Sequence, residues 1–383
     1  MHAHAILAAT LAIGTAVPAF AAPDEDLLGK KQGYPSCKLD GKNFAPPDCV
    51  VWLMSHYHVA YPARTVKKGA ETRPLKRAGA PSLPIDAFLA AQRNTGLLVM
   101  KGDNVLAERY QYDRKPEHLF NSMSMAKTVV AMLVGIALSE SKIRSIDDRA
   151  EQYVPGLKGH PYGETPIRHL LTMSSGVKFV EAYTGNDDIM KLARALLLHQ
   201  GPGGPPALEP FRERVAPPGK QFSYASSETY VLALVLRAAT GRNVAEYLSE
   251  KIWQPMGAEA DAAWNIDADG NEVGYCCLSA TLRDWGRFGL LLAEGGARDG
   301  KQIIPAAWIK EATSNRAPMT GYGYQTWVSP QEDRFTLRGL RGQAIDVHPA
   351  SKTVVVHTAV YGVGSGREGQ YSFFNTVLTE LNK

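Results

Sequence analysis

Ser124-Met125-Ala126-Lys127 places a hydroxyl three residues ahead of an amine, at the mouth of the apolar run Thr128-Val129-Val130-Ala131-Met132-Leu133-Val134-Gly135. A serine hydroxyl is a weak nucleophile and needs a base beside it. On a helix, residues three apart share a face one turn apart, so Lys127 can reach Ser124. A helix start also turns free backbone N–H groups and the positive end of its dipole toward a developing oxyanion. An apolar surrounding lowers a lysine pKa and lets the amine accept a proton near neutrality. The spacing also occurs in Ser139-Glu140-Ser141-Lys142, but at a polar helix end where the lysine stays solvated. That copy is read as a chance match.

Tyr224, in Phe222-Ser223-Tyr224-Ala225-Ser226, is the second candidate. A phenol near a Ser–Lys pair can pass the proton on to a leaving group. Tyr-x-Ser alone is a weak pattern, since Tyr34-Pro35-Ser36 and Tyr247-Leu248-Ser249 also fit it. Context separates them: the first lies in a Pro/Gly/Lys-rich arm and the other inside a helix. No Gly-x-Ser-x-Gly elbow occurs, which argues against an α/β-hydrolase triad.

The elements that would position these residues can be read from periodicity. Residues 22–85 have little of it and are expected as an extended N-terminal arm on the main body. Thr95–Lys101 and Val105–Tyr110 flank Gly102-Asp103-Asn104 and predict a hairpin. Arg334–Leu340, Gln343–His348 and Thr353–Tyr361 form a second β cluster, followed by a helix over Tyr371–Leu381. Between the clusters, Met125–Leu138, Ile189–Leu198, Thr229–Ala239 and Val244–Trp253 have helical character. Strands at both ends and helices between them predict an α+β fold, an α/β/α sandwich. One antiparallel sheet is then built from both chain ends, with a helical insertion at about 140–255 inside a domain spanning 86–383. The Pro/Gly-rich segment Gly201–Gly219 is either an inert connection or the edge of a site.

The order of Ser124-Met125-Ala126-Lys127, His169–Gly176 (HLLTMSSG) and Pro218–Ser226 (PGKQFSYAS) resembles the class C group of serine β-lactamase-like, penicillin-recognising proteins. Trp253–Gly257 (WQPMG), Leu282–Gly289 (LRDWGRFG) and Gly323–Trp327 (GYQTW) agree with it, so that the resemblance runs over about 85–383. The group holds β-lactamases, D-Ala-D-Ala peptidases, carboxylesterases and 6-aminohexanoate-oligomer hydrolases. The resemblance implies that Ser124 is acylated, that Lys127 is its base and that Tyr224 relays the proton. It puts Ser226 where β-lactamases carry an Asn that touches the substrate amide. Asp284 and Arg287 are implied to hold a helix in place.

The sequence departs from the group at the third motif, where Lys-Thr-Gly or His-Thr-Gly is absent. Leu337–Gln343 (LRGLRGQ) is the best-placed segment. Gly339 would admit substrate backbone, and the Leu340 N–H would complete an oxyanion hole with that of Ser124. The missing lysine normally fixes a carboxylate, so the pattern points to the esterase and aminohexanoate-hydrolase branch. Arg338 or Arg341 could replace the cation. The expected reaction is hydrolysis of a small-molecule ester or amide through an acyl-serine, with no metal and no cofactor. A β-lactamase or D-Ala-D-Ala carboxypeptidase is the first alternative, and a non-catalytic covalent β-lactam binder the second.

Composition limits the remaining classes. Lys and Arg number 42 against 38 Asp and Glu, a net charge of +4 with no block of like charge, which gives no support to nucleic-acid binding. Ala5–Val17 followed by Ala19-Phe20-Ala21 reads as an export signal over 1–21, so a periplasmic protein without stable membrane insertion is expected. The four cysteines suit an oxidising compartment. A Cys37–Cys49 disulfide is plausible, whereas the adjacent Cys276 and Cys277 are expected as two buried thiols. His56-x-His58 is read as a surface or strand alternation. The sequence sets no oligomeric state.

Overall fold

The computed structural model describes residues 21–39, 46–79, 82–363, 366–381 and 383. The apolar run Ala5–Val17 lies outside them. The centre of the fold is a seven-stranded sheet in the order Trp327–Val328, Phe335–Gly339, Gln343–His348, Thr353–Ala359, Asn94–Lys101, Asn104–Tyr110, Lys76–Arg77. All neighbours are antiparallel except the last, where Lys76–Arg77 joins in parallel. Thr353–Ala359 pairs with Asn94–Lys101, so the two chain ends close one sheet, as the two β clusters predict.

Alternation along the strands separates two apolar layers. Leu97, Val99, Ala107 and Val355 face Ile85, Leu89, Phe373 and Val377, which come from the helices Ile85–Ala91 and Arg367–Leu381. On the opposite face Leu98, Met100, Ile345 and Val354 join the main core. The helix Leu282–Ala293 lies on this face, and Gly286 and Gly289 let it come close. A Cβ at Gly286 would stand 2.6 Å from Leu98, and one at Gly289 2.7 Å from both Ile345 and Val354. Asp284 and Arg287 pin that helix. Asp284 accepts the Glu259 and Ala260 N–H groups and bonds to Arg287 at 2.9 Å, while Arg287 Nε donates to Arg73 O.

Three expectations are corrected. The arm is not merely extended: Val50–Ala60 is a helix whose Val50, Val51, Leu53, Met54 and Tyr57 enter the main core. Burial on most sides leaves no amphipathic stripe, which explains the missing periodicity. His56 and His58 therefore sit on a helix rather than a strand, with His56 Nδ1 bonded to Trp52 O at 2.8 Å. Finally, Cys276 and Cys277 are joined to each other, as are Cys37 and Cys49. Cys277 takes a left-handed φ of 71°, and that turn brings the two neighbouring side chains together.

A second sheet, unforeseen from sequence, orders Ala63–Val66, Ala262–Asn265, Leu278–Ala280 and Phe120–Asn121. It carries the segments just before Ser124 and just after the Cys276–Cys277 bond. Gly201–Gly219 is anchored to the body, since Gly204 N donates to Asp267 at 3.0 Å and to the Tyr230 hydroxyl at 2.8 Å.

Candidate active site

The turn that carries Ser124 is built from the second sheet. Met123 N donates to Asn121 Oδ1 at 2.8 Å and holds Met123 at a φ of 44°, a left-handed conformation rare for a residue with a side chain. Ser122 bonds twice across the sheet to Leu278, N–H to carbonyl at 2.8 Å and hydroxyl from N–H at 3.2 Å. Ser124 thus falls in a short turn, Met123–Met125, from which the helix Ala126–Ser139 continues. Twelve of that helix's fourteen residues are buried, Lys127 among them at 1% exposure. Ser139, in the Ser-x-x-Lys at the end of this helix, is exposed together with Lys142.

Lys127 Nζ donates to Ser124 Oγ at 3.1 Å, to Ser226 Oγ at 2.9 Å and to Tyr275 O at 3.0 Å. Burial lowers its pKa to about 8, against the opposing pull of the Glu181 carboxylate. An amine at that pKa is neutral in a usable fraction of molecules near pH 7. Three acceptors fix its position, so in the neutral form the lone pair has Ser124 Oγ at hand.

Tyr224 reaches the same centre from the start of the helix Ser226–Thr240. Its approach is set by the HLLTMSSG segment: Ser223 N donates to Met173 O and Gly219 N to Ser174 O, both at 2.8 Å. Burial pushes the Tyr224 phenol well above its usual pKa, the Glu181 charge adds to this, and the adjacent Ser124 hydroxyl opposes it. The Tyr224 phenol therefore keeps its proton at neutral pH. Gln325 ties the two helices together, accepting from Thr128 through its carbonyl at 2.7 Å and from Thr229 through its side chain at 2.6 Å.

The third-motif strand closes the site from the other side. A Cβ on Gly339 would stand 2.4 Å from Ser122 O and 2.9 Å from Met123 Cβ, so only glycine lets this strand abut the Ser124 turn. Leu340 consequently lines one cavity with Ser124 and Ser226. The two candidate cations diverge. Arg341 donates to Tyr361 O at 3.2 Å. Arg338 lies over the Trp327 ring, 5.5 Å from its centroid, and lines a neighbouring cleft of about 320 Å³ with Arg367 and Asp346.

Sequence reasoning missed Glu181, Tyr183 and Tyr275. Glu181 accepts from Ser226 N at 2.8 Å and Ser226 Oγ at 2.9 Å, and the Tyr183 hydroxyl donates to it at 2.5 Å. No spacing could have flagged them, because Glu181 meets Ser226 and Tyr275 meets Lys127 across long loops, and Tyr183 joins the site through Glu181. Arg367 was missed as well, at the start of the closing helix. Among the described residues no group of three His, Cys, Asp or Glu is arranged to hold a metal, and no helix is long and apolar enough to cross a membrane.

Comparison with known proteins bears on the fold and the family. The family model described as Beta-lactamase matches residues 85–372. The 6-aminohexanoate-dimer hydrolase of Paenarthrobacter ureafaciens is 26% identical over 283 residues, covering 68% of this chain and 70% of that protein. Among solved structures, a Bacillus anthracis protein provisionally designated a 6-aminohexanoate-dimer hydrolase superposes with a TM-score of 0.80 at 24% identity, over 91% of this chain and 99% of its own. A penicillin-binding protein from Bacillus halodurans gives a TM-score of 0.59 at 17% identity, over 76% and 98%.

Proposed function

The chain belongs to the Beta-lactamase family of hydrolases, and from that premise we propose that it hydrolyses an ester or amide through an acyl-Ser124 intermediate. Lys127 Nζ takes the Ser124 proton as Oγ attacks the carbonyl carbon. The N–H groups of Ser124 and Leu340 hold the oxyanion. Tyr224 gives its proton to the leaving group and recovers one from Lys127. Water then attacks the acyl-serine by the same path in reverse, releasing the acid and restoring Ser124.

The observation that carries this reading is the 3.1 Å bond between Ser124 Oγ and a buried Lys127 whose pKa is lowered to about 8. A base near the working pH contributes roughly 10²–10⁴ in rate, and an oxyanion donor about 10²–10³. Ser226 and the absence of a third-motif lysine support the esterase and aminohexanoate-hydrolase branch. We also propose that the protein is exported, a reading that the two disulfides support. Turnover of p-nitrophenyl acetate that is lost in Ser124→Ala and in Lys127→Ala is the test; turnover retained in either variant rejects the assignment.

A second reading has one observation in its favour. The cleft lined by Arg338 and Arg367, with Asp346 and Glu368, lies beside Trp327, whose ring stacks on Tyr224 at 5.9 Å, so a carboxylate on the leaving-group side would have two cations within the same cleft. That arrangement suits a β-lactam or a D-Ala-D-Ala peptide, and turnover of nitrocefin against p-nitrophenyl acetate decides between the two readings.

A further inference from the structure

Cys276 and Cys277 both line the cavity that holds Ser124, and they are bonded to each other. The rest of that wall is mostly apolar, from Leu39, Tyr57, Ile189, Ala193 and Leu197, and the cavity is small, about 40 Å³. Which substituent of the reacting carbonyl enters it follows from where the proton must go. The leaving group has to meet the Tyr224 hydroxyl, and Tyr224 is not part of this wall. Its ring stacks instead on Trp327, toward the arginine cleft. The leaving group therefore departs on the Trp327 side, and the acyl group occupies the cavity.

A pair of free thiols could turn away from an entering chain. A bond between neighbours closes a small ring through the intervening peptide, and neither sulfur can then rotate independently. The backbone of the pair is fixed as well. Cys276 O accepts from Trp264 Nε1 at 2.9 Å, Cys277 O from Asn265 N at 3.2 Å, and Cys276 N donates to Val273 O at 3.0 Å. The adjacent Tyr275 carbonyl is the one that holds Lys127. The disulfide is thus a rigid, apolar plate fastened to the second sheet and facing the nucleophile.

We infer that the Cys276–Cys277 disulfide is the specificity-determining wall of the acyl subsite, stopping the acyl group at a short aliphatic chain and so favouring the esterase over the aminohexanoate-hydrolase form of the proposed function. In this measure a water-sized unit needs about 10–15 Å³, so the cavity admits roughly three carbons beyond the carbonyl. This inference rests on the reading of Ser124 as the acylated residue.

The test is a chain-length series, p-nitrophenyl acetate, butyrate and hexanoate, with the full-length protein. Wild type should lose at least about tenfold in kcat/KM from acetate to hexanoate, in keeping with the cost of methylenes that do not fit a pocket. Cys276→Ala/Cys277→Ala should raise the hexanoate-to-acetate ratio by about tenfold or more. Should that variant fail to fold, Cys37→Ser/Cys49→Ser protein leaves one disulfide to open. Phosphine reduction should then shift its ratio in the same direction and reoxidation restore it. A ratio within about twofold of wild type in the folded double-alanine variant, or unchanged by reduction, overturns the inference. Failure of wild type to turn over any ester, or turnover surviving Ser124→Ala, instead overturns the function on which it rests.

Discussion

Glu181 accepts both hydrogen bonds that Ser226 can donate, from its backbone N–H and from its hydroxyl. The hydroxyl proton is committed to the carboxylate, so the Ser226 oxygen faces Lys127 Nζ as an acceptor. Glu181 is thus a positioning residue, acting on Lys127 through Ser226. In Glu181→Gln one of the two acceptors becomes a donor, and kcat should fall roughly 10–100-fold, the worth of a hydrogen bond to a charged group. Because the carboxylate raises the Lys127 pKa, its removal should move the ascending limb of the pH–rate profile to lower pH. Glu181→Asp should recover part of kcat. A Gln variant with a wild-type profile would reject the relay.

The pH dependence of the wild type follows from Lys127. A lysine lowered to about 8 must lose its proton to act as base, so kcat/KM should rise about tenfold per pH unit below 8 and level off above it. Lys127→Arg, which stays protonated, should remove nearly all activity at every pH. A flat profile between pH 6 and 9 would show that another group is the base.

Much of this site was legible in the sequence, for physical reasons that differ by residue. Ser124 and Lys127 are three apart on one helix, so their contact is local and spacing reveals it. Tyr224 was recoverable from the order of motifs, and the two-ended sheet from the alternation of its strands. Glu181 and Tyr275 meet Ser226 and Lys127 only through long-range folding, and a lone Glu in a loop has no pattern to betray it. The helix Val50–Ala60 was hidden because it is buried on most sides, and the second sheet because its strands have two to four residues each. The Cys276–Cys277 bond was misjudged because the left-handed turn at Cys277 has no marker in sequence.

Glu228 gives a prediction about stability. It is fully buried, its Oε1 accepts from the N–H and hydroxyl of Ser175, and burial raises its pKa to about 8. The folded state therefore holds a proton that the unfolded chain releases at about 4.5. Stability should fall as pH rises from 4.5 to 8, where the native state binds more protons. Glu228→Gln keeps the acceptor without an ionisable group. It should flatten that decline and raise stability at pH 8 by on the order of 4 kcal/mol. Equal pH dependence of the melting temperature in both proteins would contradict this.

Substrate class can be read from one comparison. A carboxylate clamp is worth roughly 1.5–3 kcal/mol, or about one to two decades in rate. Without a third-motif lysine, p-nitrophenyl acetate should be turned over far faster than nitrocefin. Arg341→Ala should leave that ratio unchanged, since its guanidinium is bonded to Tyr361 O. Nitrocefin outrunning the ester, with the loss confined to Arg338→Ala, would instead favour the β-lactamase reading.

The acyl-serine itself is the central claim, and intact mass after reaction with a fluorophosphonate tests it most directly. Wild type should gain one phosphonyl adduct, mapped to Ser124 by digestion, with activity lost in proportion. Ser139→Ala should label like wild type, and folded Ser124→Ala should gain no mass. An adduct that persists in Ser124→Ala, or that maps to any other residue, would contradict the account.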